Sequence, residues 1–270
     1  MAISNSIFKP TGTIEGISFY TVAGSDKVIM RKKGGPKKAQ IATGKEFEKL
    51  RKHQAEWGGC VLFARNVRSA VGDLYPLSDH NLSSVWTGMG KKLMALDTVN
   101  ETGVRAVQLS NFKQALVDFN FCRQKPLISL LRLAPEFEID SENLHAVVRY
   151  TRINTATDLV NGGNRPYFRI VAALGCVSDL MFEKSLFSNY REANDQLNGL
   201  SVSVASNWLS TNDLLQNIEL SPAFEEKYKE LLTADVSVLL SVGVEFGAVG
   251  FGGKIEVVKR SGAAKIVAVL

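Results

Sequence analysis

The chain has 270 residues, 45% of them hydrophobic and 22% charged, a balance that excludes a disordered polymer and suits a packed core. Three cysteines, Cys60, Cys122 and Cys176, lie far apart with no CxxC pair. That excludes a disulfide framework or a zinc ribbon and predicts reduced, buried thiols. The net charge of +5 is uneven: residues 27–52 hold ten Lys or Arg against two acids, a local +8 that leaves the remainder at −3.

The first ten residues lack a basic stretch followed by an apolar one, so no secretory signal is read there. The longest apolar runs, around 170–177 and 238–246, fall well short of the roughly 20 residues a spanning helix needs. The expected compartment is the cytoplasm, with release by lysis or a signal-free route. No membrane partner is expected.

Residues 13–20, T-I-E-G-I-S-F-Y, alternate apolar and polar. V-A-G-S-D-K then supplies turn chemistry before a second run at Val28, Ile29 and Met30, which predicts a β-hairpin. Ile14, Ile17 and Phe19 mark it as an assembly strand. Its second strand leads into a basic connector, Arg31, Lys32, Lys33, Lys37 and Lys38, interrupted by Gly34-Gly35-Pro36. Pro36 has no amide donor and bars Gly35 from the helical region.

Thr43 and Glu46 have the spacing of a capping box and predict a helix start. Phe47, Leu50, Trp57, Val61, Ala64, Val67, Val71 and Leu74 follow at helical intervals and define its expected buried stripe. Gly58-Gly59 inside it predicts a close contact or a kink, because two glycines there cost about 1 kcal/mol each. Ser78 and Asp79 are candidate caps of a second helix, with Leu82, Val85, Trp86, Met89, Leu93 and Leu96 on one face.

From about residue 110 short strand-like pieces recur: 115–122, 127–133, 136–140, 144–153, 167–182, 199–205, 236–246, 253–259 and 263–270. D-S-E-N at 140–143, N-G-G-N at 161–164 and S-G-A at 261–263 read as turns. Only 222–232 looks helical, with Pro222 at a first-turn position. The expected fold class is α+β: an N-terminal β-hairpin and two-helix section over 1–110, then an antiparallel β-sandwich or barrel over 111–270.

No catalytic constellation is legible. His53, His80 and His145 are scattered, and neither GxSxG nor a P-loop occurs. G-A-V-G-F-G-G at 247–253 leads from strand to strand and not into a helix, so it reads as a turn and not a phosphate cradle. Glu136, Glu138, Asp140 and Glu142 alternate along one strand. They lack the glycine and carbonyl geometry of a Ca²⁺ loop, and read as the solvated face of an edge strand. They also form an acidic counter-surface for the basic segment. No catalytic residue, metal, cofactor or small-molecule substrate is expected.

Five stretches carry a resemblance: G-T-I-E-G-I-S-F-Y, V-I-M-R-K-K-G-G, E-F-E-K-L-R-K-H-Q-A-E-W-G, Y-F-R-I-V-A-A-L-G-C-V-S-D, and V-L-L-S-V-G-V-E-F followed by A-A-K-I-V-A-V-L. In this order they resemble a family of uncharacterised proteins from Bacteroidota bacteria. The resemblance implies short N-terminal strands, a helical section and a β-rich remainder, and brings no activity, cofactor or catalytic residue. The functional expectation is a non-enzymatic protein that self-assembles into a filament, tubule or phage-like particle through its N-terminal strand and basic arm. The alternative is a nucleic-acid-associated protein binding through residues 27–52, where lysines would attract phosphates without reading sequence.

Overall fold

The computed structural model describes residues 2–4, 10–22, 27–32, 34–79, 81–183 and 189–270. The fold is α+β, and the chain divides into two compact units, 1–51 and 52–270. The helices that follow residue 52 therefore belong with the β-rich remainder, whereas the change of sequence texture lies near residue 110.

The first unit holds β1 (Ala2–Ser4), β2 (Gly12–Ile14), β3 (Ile17–Thr21) and β4 (Val28–Lys32) in the antiparallel order β1-β4-β3-β2. The stretch 13–20 is thus a hairpin in itself and not one strand. Ile14 pairs with Ile17 across Glu15 and Gly16, both at positive φ (48° and 79°), the backbone of a tight two-residue turn that matches strand twist. Residues after β4 form α1 (Lys38–Thr43). Thr43 is its last residue and not a helix cap, since its hydroxyl donates back to the Ala39 carbonyl at 3.0 Å. Gln40 caps instead, its side-chain oxygen accepting from the Lys37 amide at 2.7 Å.

Helix α2 (Glu48–Ala70) is followed by a 3-10 segment, Gly72–Leu77, and by α3 (Leu82–Ala95). The second unit then builds β5 (Glu136–Asp140), β6 (His145–Asn154), β7 (Tyr167–Ser178), β8 (Leu180–Phe182), β9 (Tyr190–Glu192), β10 (Ser201–Ala205), β11 (Leu209–Ser210), β12 (Leu215–Leu220), β13 (Val236–Val249), β14 (Ile255–Val257) and β15 (Ala263–Val269). The expected strands at 115–122 and 127–133 are absent as such: the first is 3-10 and turn, the second a short helix over Leu127–Leu130. Residues 226–231 are 3-10 and not α-helical. β9, β11 and β12 add strands outside the sequence expectations.

The centre is the antiparallel pair β7–β13, twelve residues in register. One face of that pair, with Phe168, Ile170, Leu174, Val238, Leu240 and Val244, packs against the three-stranded sheet β12-β6-β5 through Val148, Tyr150, Ile153 and Ile218. The opposite face, with Val171, Ala173, Val177 and Leu239, is covered by Phe63, Val67, Leu74, Trp86 and Met94 of the helical layer. Burial on both sides explains why these two strands read as unbroken apolar runs. A Cβ on Gly175 would lie 1.9 Å from the Ala70 carbonyl oxygen, so the helix meets the sheet at backbone distance.

Helix α2 buries Gly59, Cys60, Phe63, Ala64, Val67 and Ala70. The expected stripe holds only in its C-terminal half; Leu50, Trp57 and Val61 are exposed. Gly59 is a close contact, to the ring of Tyr190, whereas Gly58 faces open space and the helix runs through both without a break. The predicted face of α3 is recovered, with Leu82, Trp86 and Leu93 buried, except that Leu96 lies beyond its end and is exposed.

Candidate functional site

In the N-terminal sheet, directly opposed residues share a face. The registers Ile14–Ile17, Phe19–Met30 and Thr21–Val28 therefore gather Ile14, Ile17, Phe19, Val28 and Met30 on one side. That face is mainly apolar, with Thr21 and Lys32 also on it through the registers Thr21–Val28 and Ile17–Lys32, and it opens progressively, from Val28 at 1% exposed to Ile17 at 37% and Ile14 at 61%. The other face carries Thr13, Ser18, Tyr20 and Arg31, with the Thr13 and Ser18 hydroxyls 3.1 Å apart and the Arg31 guanidinium 5.5 Å from the Tyr20 ring centre. β2 pairs only with β3, so its other edge offers unpaired backbone groups among the described residues.

The cations of the connector do not form one patch on this sheet. Arg31 and Lys32, both exposed, point to opposite faces of β4; Lys37 and Lys38 lie at the start of α1 and are also exposed. Lys33 lies outside the described residues.

The acidic set sits where the alternation placed it. β5 is the outer strand of its sheet, and Glu136, Glu138 and Asp140 oppose Arg149, Val147 and His145 on the solvent side. Arg149 bridges two carboxylates, donating to Glu138 at 3.0 Å and Glu219 at 2.8 Å. Asp140 accepts from the Asn143 amide and side chain, closing the 140–143 turn, and these bonds hold its carboxyl below the usual range. Glu142 is exposed in that turn. Among the described residues no group of three or more His, Cys, Asp or Glu converges as a metal would require.

Of the histidines, His53 lies 3.8 Å from Glu56 and His145 lies 3.3 Å from the Ser221 hydroxyl; His80 is outside the described residues.

A further charged cluster, centred on Glu56, lies outside the sequence expectations. Glu56, with no exposed side-chain surface, accepts from Arg105 Nε at 2.7 Å and Nη2 at 2.9 Å, from Lys91 Nζ at 2.8 Å and from the Gly103 amide at 2.8 Å. Burial alone would raise its pKa, but the bonds from Arg105, Lys91 and Gly103 outweigh that and hold it at about 2. The readable signal was position: Glu56 precedes Gly59, Cys60 and Phe63 by three, four and seven residues, on their helical face. The cluster ties α2, α3 and the 97–106 loop together, with Tyr190 donating to the Arg105 carbonyl at 2.7 Å. Both oxygens of the Glu56 carboxylate are spent on these partners, so the cluster acts as a structural lock.

A cleft of about 780 Å³ is lined by Tyr75, Ser78, Asp79, Cys122, Lys125 and Arg260 among others. Asp79 does not cap α3 with its side chain; it accepts from the Cys122 thiol at 3.0 Å and the Arg123 amide at 3.1 Å. Burial and the neighbouring Asp79 raise the Cys122 pKa, which keeps it a thiol and a weak nucleophile. Cys60 and Cys176 are buried, with pKa values pushed up by burial to about 11 and about 12.

Comparison with protein-family models, curated proteins and solved structures yields no match. Among the described residues no helix is long and apolar enough to cross a membrane.

Proposed function

We propose that the chain is a non-enzymatic structural protein that assembles with copies of itself through its N-terminal sheet. The observation that carries this is the half-open apolar face of Ile14, Ile17 and Phe19. A sheet with one apolar face has to bury that face against another element, and exposed apolar surface with an unpaired edge strand is the usual substrate for strand addition. The exposed cations Arg31, Lys32, Lys37 and Lys38 suit the outer carboxylates Glu136, Glu138, Asp140 and Glu142 of a neighbouring copy. Because the two surfaces are different, such a contact is head-to-tail and propagates into a ring or filament.

The test is light scattering behind size exclusion, with negative-stain microscopy, on the intact chain and on the variant carrying Ile14→Ser and Ile17→Ser. The intact chain is expected to form large particles, and the variant or a chain lacking residues 1–35 a small soluble species. A monomeric intact chain at high concentration sinks the proposal. Association with nucleic acid is the second reading, supported by the +8 segment at 27–52. It requires retention of DNA or RNA at low salt that falls steeply as salt rises.

A further inference from the structure

The six-stranded sheet ends on one side at β10, which pairs with β7 from Ser201 opposite Gly175 to Ala205 opposite Val171. Antiparallel pairing points alternate residues of an edge strand toward and away from its neighbour. The Leu200 carbonyl accepts from the Cys176 amide and the Ser206 amide donates to the Ile170 carbonyl, both at 2.9 Å, so the even-numbered residues bond to β7. The amides and carbonyls of Ser201, Ser203 and Ala205 therefore point out of the sheet, and none has a hydrogen-bond partner among the described residues.

The other outer edges of the two large sheets are closed or guarded, in the ways that keep edge strands from pairing at random. β5 alternates Glu136, Glu138 and Asp140. β12 has a register shift between Gln216 and Ile218 and carries Glu219. β14 is three residues long with Glu256 at its centre, and β11 is two. β15 is covered by residues 119–121: the Phe121 amide donates to the Ala264 carbonyl and the Ile266 amide to the Phe119 carbonyl, both at 2.9 Å. β10 has none of these devices. Its sequence, S-V-S-V-A, holds no charge and no proline, and its register runs without a bulge. On one side Ser201 and Ser203 face the helical layer, where a Cβ on Gly72 would lie 2.5 and 3.0 Å from their hydroxyl oxygens. On the other, Val202 and Val204 are only partly buried against the second core.

We propose that β10 pairs antiparallel with β10 of a second copy, joining two six-stranded sheets about a two-fold axis at Ser203. Register selects this occupant. With the axis there, Ser203 opposes its own counterpart and Ser201 opposes Ala205, so every outward group of both strands is used, in about six backbone hydrogen bonds. Moving the axis by one residue sets Ala205 against Gly199, beyond the end of the strand. The Ser203 register also places Val202 against Val204 of the copy in the closely spaced, non-hydrogen-bonded pairs, which completes the cover of both valines. Charge agrees. Like charges facing each other across a ladder repel, and a strand that meets itself has to be free of them, as β10 is. A two-fold contact closes on itself, so this dimer step is separate from the head-to-tail contact of the N-terminal sheet and involves the second unit alone.

The test is light scattering behind size exclusion on the full chain carrying Ile14→Ser and Ile17→Ser, which removes the N-terminal contact, with amide hydrogen exchange over residues 200–206. This background chain should run at twice the mass of one chain. Its Ser203 and Ala205 amides should exchange at least ten-fold more slowly when concentrated than when diluted to monomer. Adding Ser203→Pro should halve the mass; the amide it removes points outward, so the ladder to β7 keeps its bonds. Ala205→Lys, at an exposed position, should also halve the mass, and it decides the matter if the proline variant fails to fold. The inference is overturned if the background chain is a monomer whose Ser203 and Ala205 amides exchange freely, or if its doubled mass ignores Ala205→Lys and a folded Ser203→Pro. Protection present in the intact chain and absent from the background chain also overturns it, and assigns the edge to an N-terminal strand of another copy.

Discussion

Glu56 shows how one side chain can hold a region together and be invisible to pattern reading. Its carboxylate is surrounded by Arg105, Lys91 and the Gly103 amide, so removing its charge leaves a nearly buried guanidinium without a counter-ion. Breaking such a pair costs about 3 kcal/mol, and Glu56→Gln is expected to lower stability by about that much in denaturant titration. The pH dependence follows from the direction of the shift. A carboxyl at about 2 in the folded chain, against about 4.3 unfolded, adds stability above the unfolded value and loses it as pH falls toward 2. Intact protein should weaken between about pH 4.5 and 2 more steeply than the Glu56→Gln variant, whose stability lacks this contribution throughout. Asp179 works in the opposite sense: burial raises its pKa despite the two bonds it accepts from Ser110, so its effect runs against that of Glu56.

At the scale of elements, α2 marks where the sequence could and could not be read. Its helical period was plain, and its C-terminal half packs as the period requires, with Ala64 and Val67 buried. Its N-terminal half was misphased because Trp57 and Val61 are the large apolar residues, while the buried line runs through the small ones, Gly59 and Cys60, and through Glu56. The two central strands and the edge strand β5 were legible for a physical reason: burial on both faces gives a continuous apolar run, and burial on one gives alternation. Residues 115–122 and 127–133 were not, since a short apolar run has no period and turns serve as well as strands. Of the candidate site, the apolar face of the hairpin was visible, but its division at Glu15-Gly16 was not, because a tight turn of two residues hides inside an alternating pattern. The glycines supply a paired test by thermal unfolding. Gly58→Ala should stabilise by about 1 kcal/mol, as it meets nothing within 4 Å in a helix interior. Gly175→Ala should destabilise by about 2 kcal/mol or more, because its methyl would collide with the Ala70 backbone.

For the whole molecule, both hydrophobic cores are drawn, among the described residues, from positions beyond 52. A fragment spanning 45–270 should therefore fold alone and unfold in one cooperative transition. Circular dichroism melting that showed no transition in this fragment would mean that the first 44 residues are needed to complete the fold. If it folds yet fails to form particles, the separation of labour between a stable body and an assembling ribbon follows directly.

The pairing of β7 with β13 has a consequence for how the protein is made. Val236 follows Ser178 by 58 residues, and at synthesis rates of about 5–20 residues per second β7 waits about 3–12 seconds for its neighbour to leave the ribosome. During that interval both of its sides can already lie against elements made earlier, the helices on one and β6 on the other, while the edge that will pair with β13 stays unpaired. The early layers shield the faces of β7 in time as well as in space, and polypeptides bound on crowded polysomes meet their greatest hazard along that open edge.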